Sequence, residues 1–342
     1  MYMKKVISRH PKLVKFVVLI VCIFYFLSSS YATIIGIQAV INAIAVMGIV
    51  IVTGYTNQTH LGQFAFVGIG AYTSAILMTK AGINFWITLP CAMGLAATFG
   101  LLLGIPALKL RGGPYLALVT QIFGEIVYII ILNGGEITGG SLGLSKYPFG
   151  ELFGLSLRTK TVLLIVSIVF LVVTYTLLSN ILQSKFGRFF ISIKESEAAA
   201  QACGINTTCY KLLAFTLSSA IAGLAGALYA QYIGYLSPDQ FRWQISLTVI
   251  SMAIIGGVSS LDGAIIGAFL LTALPEFLRL GNAQLRMIIY GVMLMGVLLF
   301  LPNGLVSLLG KNKSEIKENF YKQIQIISKD RQKIYRNKDR GK

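Results

Sequence analysis

Apolar residues recur along most of the chain in continuous runs of about twenty, each roughly long enough to cross a hydrocarbon core. The runs fall at residues 13–30, 33–53, 62–80, 83–105, 115–132, 161–183, 212–235, 245–258, 263–280 and 287–309. Continuous rather than alternating runs predict helices and exclude a transmembrane β-barrel. The predicted fold is therefore all-α, a polytopic transmembrane bundle of about ten spans. Two runs are rich in glycine: "GQFAFVGIGAYTSAIL" (62–77) and "IIGGVSSLDGAIIGAFLLTAL" (254–274). Gly-broken segments in two halves of a transporter point towards a midplane pathway. Small residues also let helix backbones approach closely, and Gly263 and Gly267 form such a pair. Both readings stay open at this stage.

A polar stretch interrupts the apolar pattern at "ISIKESEAAAQACGINTTCYKLLAF" (191–215). Ser192 followed by Glu195 fits a capping box and predicts a helix starting at Ile193. "ESEAAAQA" supplies strong helix formers, and Gly204 is placed to end the helix in a left-handed cap, with Ile205 as its hydrophobic contact. Such a helix is too short and too charged to span a bilayer, and too short to be stable alone in water. It must dock, either on its own bundle or in the groove of a partner.

Composition agrees with the pattern: 56% of the 342 residues are hydrophobic and only 12% charged. The formal net charge of +17 raises nucleic acid as a partner, but the basic residues sit where they orient a membrane protein. Lys4, Lys5, Arg9, Lys12 and Lys15 surround the start of the first run, and the segment 311–342 is a basic tail. With both basic ends inside, ten crossings also place Lys109, Arg111, Lys185, Arg188, Lys194 and Lys211 in the cytoplasm. The organisation expected is a basic cytoplasmic segment at 1–12, a membrane domain at 13–310 with a cytoplasmic loop at 184–211, and a solvated tail at 311–342. No nucleic-acid partner is expected.

Several chemical motifs fail on inspection. "GGSLG" (139–143) matches a hydrolase nucleophile elbow, but that turn needs a strand before it, a helix after it and a histidine partner. The chain has two histidines, His10 and His60, and four scattered cysteines, with no metal-ligand spacing. "GLVSLLGKN" (304–312) is not a Walker A loop, because its glycines are too far apart and Asn follows the lysine. No enzymatic activity, metal or resident cofactor is expected. Glu125 stands apart, lying within an apolar run where a carboxylate costs about 2.5–3.5 kcal/mol on insertion scales. It faces either a helix neighbour, as a hydrogen-bond partner, or a watery pathway.

The segment Glu197-Ala198-Ala199 with Gly204 resembles the coupling loop of ABC importer permeases. The wider runs 197–230, 111–127 ("RGGPYLALVTQIFGEIV"), 134–144 ("GGEITGGSLGL") and 254–268 are similar to the LivM-type permeases of branched-chain amino acid importers. The likeness covers about residues 30–305. It implies a subunit in the cytoplasmic membrane, with cytoplasmic termini, that pairs with a second permease. Two cytoplasmic ATPases would supply the ATP-driven step, and an extracytoplasmic binding protein would deliver leucine, isoleucine or valine.

On this resemblance Glu195, Glu197, Ala198, Ala199 and Gly204 form the contact with the ATPase. The candidate pathway comprises Asn57, His60, Gly62, Gln63, Phe64, Gly68, Gly70 and Tyr72, with Tyr115, Thr120 and Glu125, and with Thr138, Gly139 and Gly140. One departure is informative: "GYTNQTHLGQFAFVGIGAY" (54–72) carries Asn57 where the family commonly has glycine, and His60 where it commonly has serine. Phe64 adds bulk beside them. Urea or short amides are therefore an alternative cargo, and an ion-coupled secondary transporter using Glu125 is the alternative from another class.

Overall fold

The computed structural model describes residues 29–107, 113–145, 147–152 and 155–277, with 291–292, 295–296 and 304–306. Both basic termini and Lys109 and Arg111 lie outside the described residues, as do most of the runs at 13–30 and 287–309. The other eight runs coincide with helices. These are α1 (Ser30–Ile49), α2 (Gln63–Lys80), α3 (Phe85–Ala107), α4 (Gly113–Asn133), α6 (Lys160–Gln183), α9 (Thr207–Ile233), α10 (Trp243–Gly256) and α11 (Leu261–Phe277). Three shorter helices also lie among the described residues: α5 (Gly135–Thr138), α7 (Lys185–Glu195) and α8 (Glu197–Ala202). Among the described residues, five segments are long and apolar enough to cross a membrane: Tyr31–Tyr55, Phe85–Ala107, Tyr115–Asn133, Lys160–Gln183 and Thr207–Ile233. This is a multi-pass membrane protein.

Helix α9 is the axis of the bundle. It packs most extensively against α3 and α2, and then against α1. Close approach is possible because glycines replace side chains where the helices cross. A Cβ at Gly70 would collide with the backbone of Gly223, and one at Gly226 with that of Val67. Gly256, Gly263 and Gly267 do the same between α10 and α11. In an environment as apolar as the side chains themselves, such packing takes the place of the hydrophobic drive. For these glycines, and for Gly68 against the Phe241 ring, the geometry is that of helix packing.

Helix α2 departs from the expected full crossing. Helix α1 continues through a π-helical turn (Val50–Tyr55) to one end of the bundle, and the chain then climbs back inside it. The side chain of Gln63, the first residue of α2, bonds to Ala45 and Ser218. Ser218 lies about 16 Å along α9 from its start by helical rise. Helix α2 therefore begins part-way through the bundle.

The opposite end is closed by the described residues of 134–160, which fold as a lid on the last turn of α9. Tyr147 Oη donates to the Ala230 carbonyl at 2.6 Å, and the Gly150 amide donates to Gln231 Oε1 at 2.9 Å. Burial raises the Tyr147 pKa above the ordinary tyrosine value. Two short antiparallel pairs stitch the lid: β1 (Leu144–Ser145) with β4 (Tyr235–Leu236), and β2 (Glu151–Leu152) with β3 (Leu155–Ser156). "GGSLG" is part of this lid. It follows α5 and forms a 3₁₀ turn at Gly140–Leu142, so it lacks the strand–turn–helix context of a nucleophile.

Candidate functional site

At the end where α1 finishes, α6 gives way directly to a projecting arm made of α7 and α8. Ser184 caps α7, its Oγ accepting from the Phe186 amide at 3.2 Å. Gly187, Phe190 and Ile193 recur on one face of α7 and are buried, while Lys185, Phe186, Arg188 and Ile191 are exposed. Phe186 and Phe189 lie against Tyr210 of α9, with ring centroids 6.2 and 4.8 Å away. Lys194 Nζ donates to Ser259 Oγ at 2.7 Å, joining α7 to the turn between α10 and α11.

The arm corrects the predicted helix start. Ser192 lies inside α7, its carbonyl accepting from the Ser196 amide at 3.1 Å. The break falls at Ser196, which is extended (φ −160°, ψ 112°) and caps α8 through its Oγ and the Ala199 amide. A serine preceding Glu-Ala-Ala caps better than one inside the previous helical turn, since an N-cap must leave helical geometry. The single helix expected from Ile193 to Gly204 is thus the last turn of α7, a joint, and the six residues of α8.

The predicted stop is where it was expected. Gly204 has φ 78°, the Ile205 amide donates to the Ala200 carbonyl at 3.0 Å, and the Gly204 amide donates to that of Gln201 at 2.9 Å. This is the double closure of a Schellman cap. Ala200 is the buried residue of α8, whereas Ala198, Ala199 and Ala202 are exposed. Helix α8 therefore offers a small, smooth, fully capped surface away from the bundle.

The two arm carboxylates differ. Glu197 faces inward: its Oε2 lies 2.6 Å from Lys211 Nζ, and its Oε1 accepts from Thr207 Oγ1 at 3.2 Å. Gln201 Nε2 in turn donates to Thr207 Oγ1 at 2.9 Å. Glu195 is exposed and makes no ion pair among the described residues. A cavity of about 310 Å³ lies behind α7, between Tyr55, Tyr175, Gln183, Ile191, Ser260 and Asp262.

The candidate pathway residues are dispersed. Gln63 ties α1, α2 and α9 together, its Nε2 donating to the Ala45 carbonyl at 2.9 Å and its Oε1 accepting from Ser218 at 3.1 Å. A Cβ at Gly62 would strike the Thr120 carbonyl, and Thr120 Oγ1 accepts from the Leu61 amide at 3.0 Å. Buried Phe64 donates its amide to Ser246 at 3.1 Å, and Tyr72 its hydroxyl to the Leu236 carbonyl at 3.3 Å. Thr138, Gly139 and Gly140 belong to the lid, with Thr138 Oγ1 donating to the Ile131 carbonyl at 2.6 Å. Asn57 is exposed with φ 54°, a left-handed conformation in which glycine would be unstrained.

His60 is wholly buried, 4.8 Å from the Phe215 ring and 5.7 Å from that of Phe66. Neither of its ring nitrogens has a hydrogen-bond partner among the described residues, and the same holds for Gln58 Oε1 and Thr53 Oγ1.

Glu125 and Tyr115 stand elsewhere, on the outer side of α4. Tyr115, Leu118, Ile122, Ile126 and Ile129 are exposed at intervals of three and four and make an apolar stripe along the helix. Glu125 sits half-buried on its flank, without a hydrogen bond among the described residues. Sequence reasoning missed this stripe, because apolar residues facing lipid and apolar residues facing a partner read alike. It also missed Lys211 as the partner of Glu197, for which their opposite charges at either edge of the loop were the available signal.

Residues 31–298 match the model of the family described as the branched-chain amino acid transport system / permease component. The high-affinity branched-chain amino acid transport system permease protein LivM of Salmonella typhimurium is 35% identical over 283 residues, and that of Escherichia coli 36%. Each alignment covers 76% of this chain and 66% of the relative, so the chain spans 66% of the length of these proteins. The autoinducer 2 import system permease protein LsrC of Yersinia pseudotuberculosis is 28% identical over 242 residues, covering 68% of this chain and 58% of LsrC. No solved structure matches the chain.

Proposed function

The chain belongs to the branched-chain amino acid transport permease family, and from that premise we propose that it is the membrane-spanning subunit of an ATP-driven importer of leucine, isoleucine and valine. The arm of α7 and α8 is its cytoplasmic side, and the lid at 134–160 faces the binding protein that delivers cargo. Two ATPases seat against the arms of this subunit and of a second, similar permease in the cytoplasmic membrane. In this reading nucleotide is bound and hydrolysed by those ATPases.

The observation that carries this reading is the exposed alanine face of α8. A six-residue helix has too few hydrogen bonds to persist in isolation, yet here both its ends are capped and its small side chains point away from the bundle. Such a surface suits deep insertion into a groove. Rigid displacement of a docked helix then switches the bundle between packed arrangements.

The stripe on α4 supports the second permease. A carboxylate flanking exposed isoleucines is costly against lipid and tolerable where another subunit encloses it around a watery passage. Reconstitution of the complete importer in proteoliposomes tests the proposal. Uptake of radiolabelled leucine should require enclosed ATP and the binding protein, and excess valine should compete. Uptake that survives ATP removal but stops when the proton gradient collapses would favour the ion-coupled alternative. In that assay Glu125→Gln should leave ATP-driven uptake within about twofold, since no group among the described residues pairs with its charge.

Cargo is the finer question. LsrC is named for autoinducer 2 import, so relatives of this chain are named for more than one cargo. Competition by urea or a short amide, with none by valine, would replace branched-chain amino acids with the alternative cargo.

A further inference from the structure

The acidic residue of a coupling motif is naturally taken as a contact for the ATPase. We infer that Glu197 instead works inward, as the strut that fastens α8 to the first turn of α9, and that Glu195 is the carboxylate left facing the partner. This deepens the proposed coupling role of the arm and rests on it.

Three observations converge. Both oxygens of Glu197 are engaged within the chain, Oε2 by Lys211 at 2.6 Å and Oε1 by Thr207 at 3.2 Å. Thr207 and Lys211 lie one turn apart on α9, so the pair grips that helix at two levels. Gln201, at the far end of α8, reaches the same Thr207 hydroxyl at 2.9 Å. Helix α8 is thus pinned near both its ends to one helix.

The consequence is mechanical. Six residues buried at a single alanine cannot transmit a push through packing alone, because little surface holds them. A charge-assisted clamp supplies the missing stiffness. The helix it holds is the bundle axis, which meets α2 and α3 through glycine contacts at Gly223 and Gly226. A displacement of α8 is delivered to α9 and from there to α2, while the extended Ser196 lets α7 stay in place. The side chain of Lys211 is 16% exposed and that of Glu197 48%, so the pair adds little to folding stability. Its loss should appear in coupling rather than in expression.

Charge exchange in the complete importer tests this. Glu197→Lys and Lys211→Glu should each leave the ATPase co-purifying with the permease. Each should cut leucine uptake about tenfold while hydrolysis continues, raising the ATP consumed per leucine. The double variant Glu197→Lys/Lys211→Glu should recover uptake to within about threefold of the unaltered protein. Glu195→Gln, by contrast, should weaken ATPase retention. A double variant no better than either single change would overturn the strut, and so would loss of the ATPase from Glu197→Lys alone. Ala199→Arg separates the two levels: if it leaves ATPase retention and uptake intact, the coupling role itself fails and the strut with it. If Ala199→Arg abolishes both but the charge exchange does not rescue, only the strut is lost.

Discussion

The arm at 184–206 and the connection at 53–63 both set polar groups into an apolar chain, and they treat them oppositely. In the arm, Ser184, Ser196, Gly204 and Asn206 close the helix ends, and Glu197 is paired twice. In the connection, Gln63 is bonded at both ends, but Thr53, Gln58 and His60 hold buried atoms without partners among the described residues. An element that must be pushed as a unit gains from having every local bond made. A connection that leaves a π turn, exposes a left-handed Asn57 and then packs back between helices keeps groups whose bonds are unmade among the described residues. Irregular backbone within a membrane is tolerated where protein surrounds it, and π turns concentrate at functional sites.

The comparison can be broken most forcefully at the alanine face. Ala199→Arg keeps a strong helix former in an exposed position, so α8 should still fold while the groove is blocked. Leucine uptake should fall to the level of cells lacking the permease, with normal amounts of protein in the membrane. Normal uptake would remove α8 from the coupling contact.

In the connection, Gln63→Leu keeps similar bulk but deletes bonds to both α1 and α9. It should lower stability by about 2 kcal/mol, seen as a lower thermal unfolding midpoint in detergent. An unchanged midpoint would mean that Gln63 is not the fastening described here.

A smaller effect is expected from Gly204→Ala. A Cβ there meets nothing within 4 Å, so its cost is purely the left-handed backbone, about 1 kcal/mol. Amide exchange at Gly204 and Ile205 should quicken about fivefold, and exchange in α9 should not. Unchanged exchange would show that the cap is not what holds α8 closed.

The smallest effect, and the one of opposite sign, is predicted at His60. Since its ring nitrogens have no partners among the described residues, His60→Leu should be neutral or stabilising by up to about 1 kcal/mol. A clear drop in the unfolding midpoint would show that the imidazole is satisfied in the folded protein.

Much of the fold was legible along the chain because its causes are local. A run of apolar residues long enough to cross a bilayer must form a helix there, since no other way of satisfying its backbone is open to a single segment. Gly204 could be read as a stop for the same reason: only glycine reaches that backbone conformation at no cost. Ser192 was taken as the cap because Glu195 three residues on completes a capping box, which Ser196, with Ala199 at that place, does not. What chooses between them is where Phe190 and Ile193 can be buried, which is a property of the bundle.

The sequence by itself determined that this is a helical membrane protein, where most of its spans run, and that a short capped helix interrupts them. Tertiary structure decided which groups face which. Among the described residues it turned Glu197 towards Lys211 and left Glu195 exposed, sealed His60 between phenylalanines, started α2 inside the bundle and left the stripe on α4 exposed. Backbone hydrogen bonding and side-chain hydrophobicity act over a few residues and leave their mark in the order of the chain. The direction of a side chain depends on helices brought together from more than a hundred residues away, as Gln63 and Ser218 are, and that choice is made only when they pack.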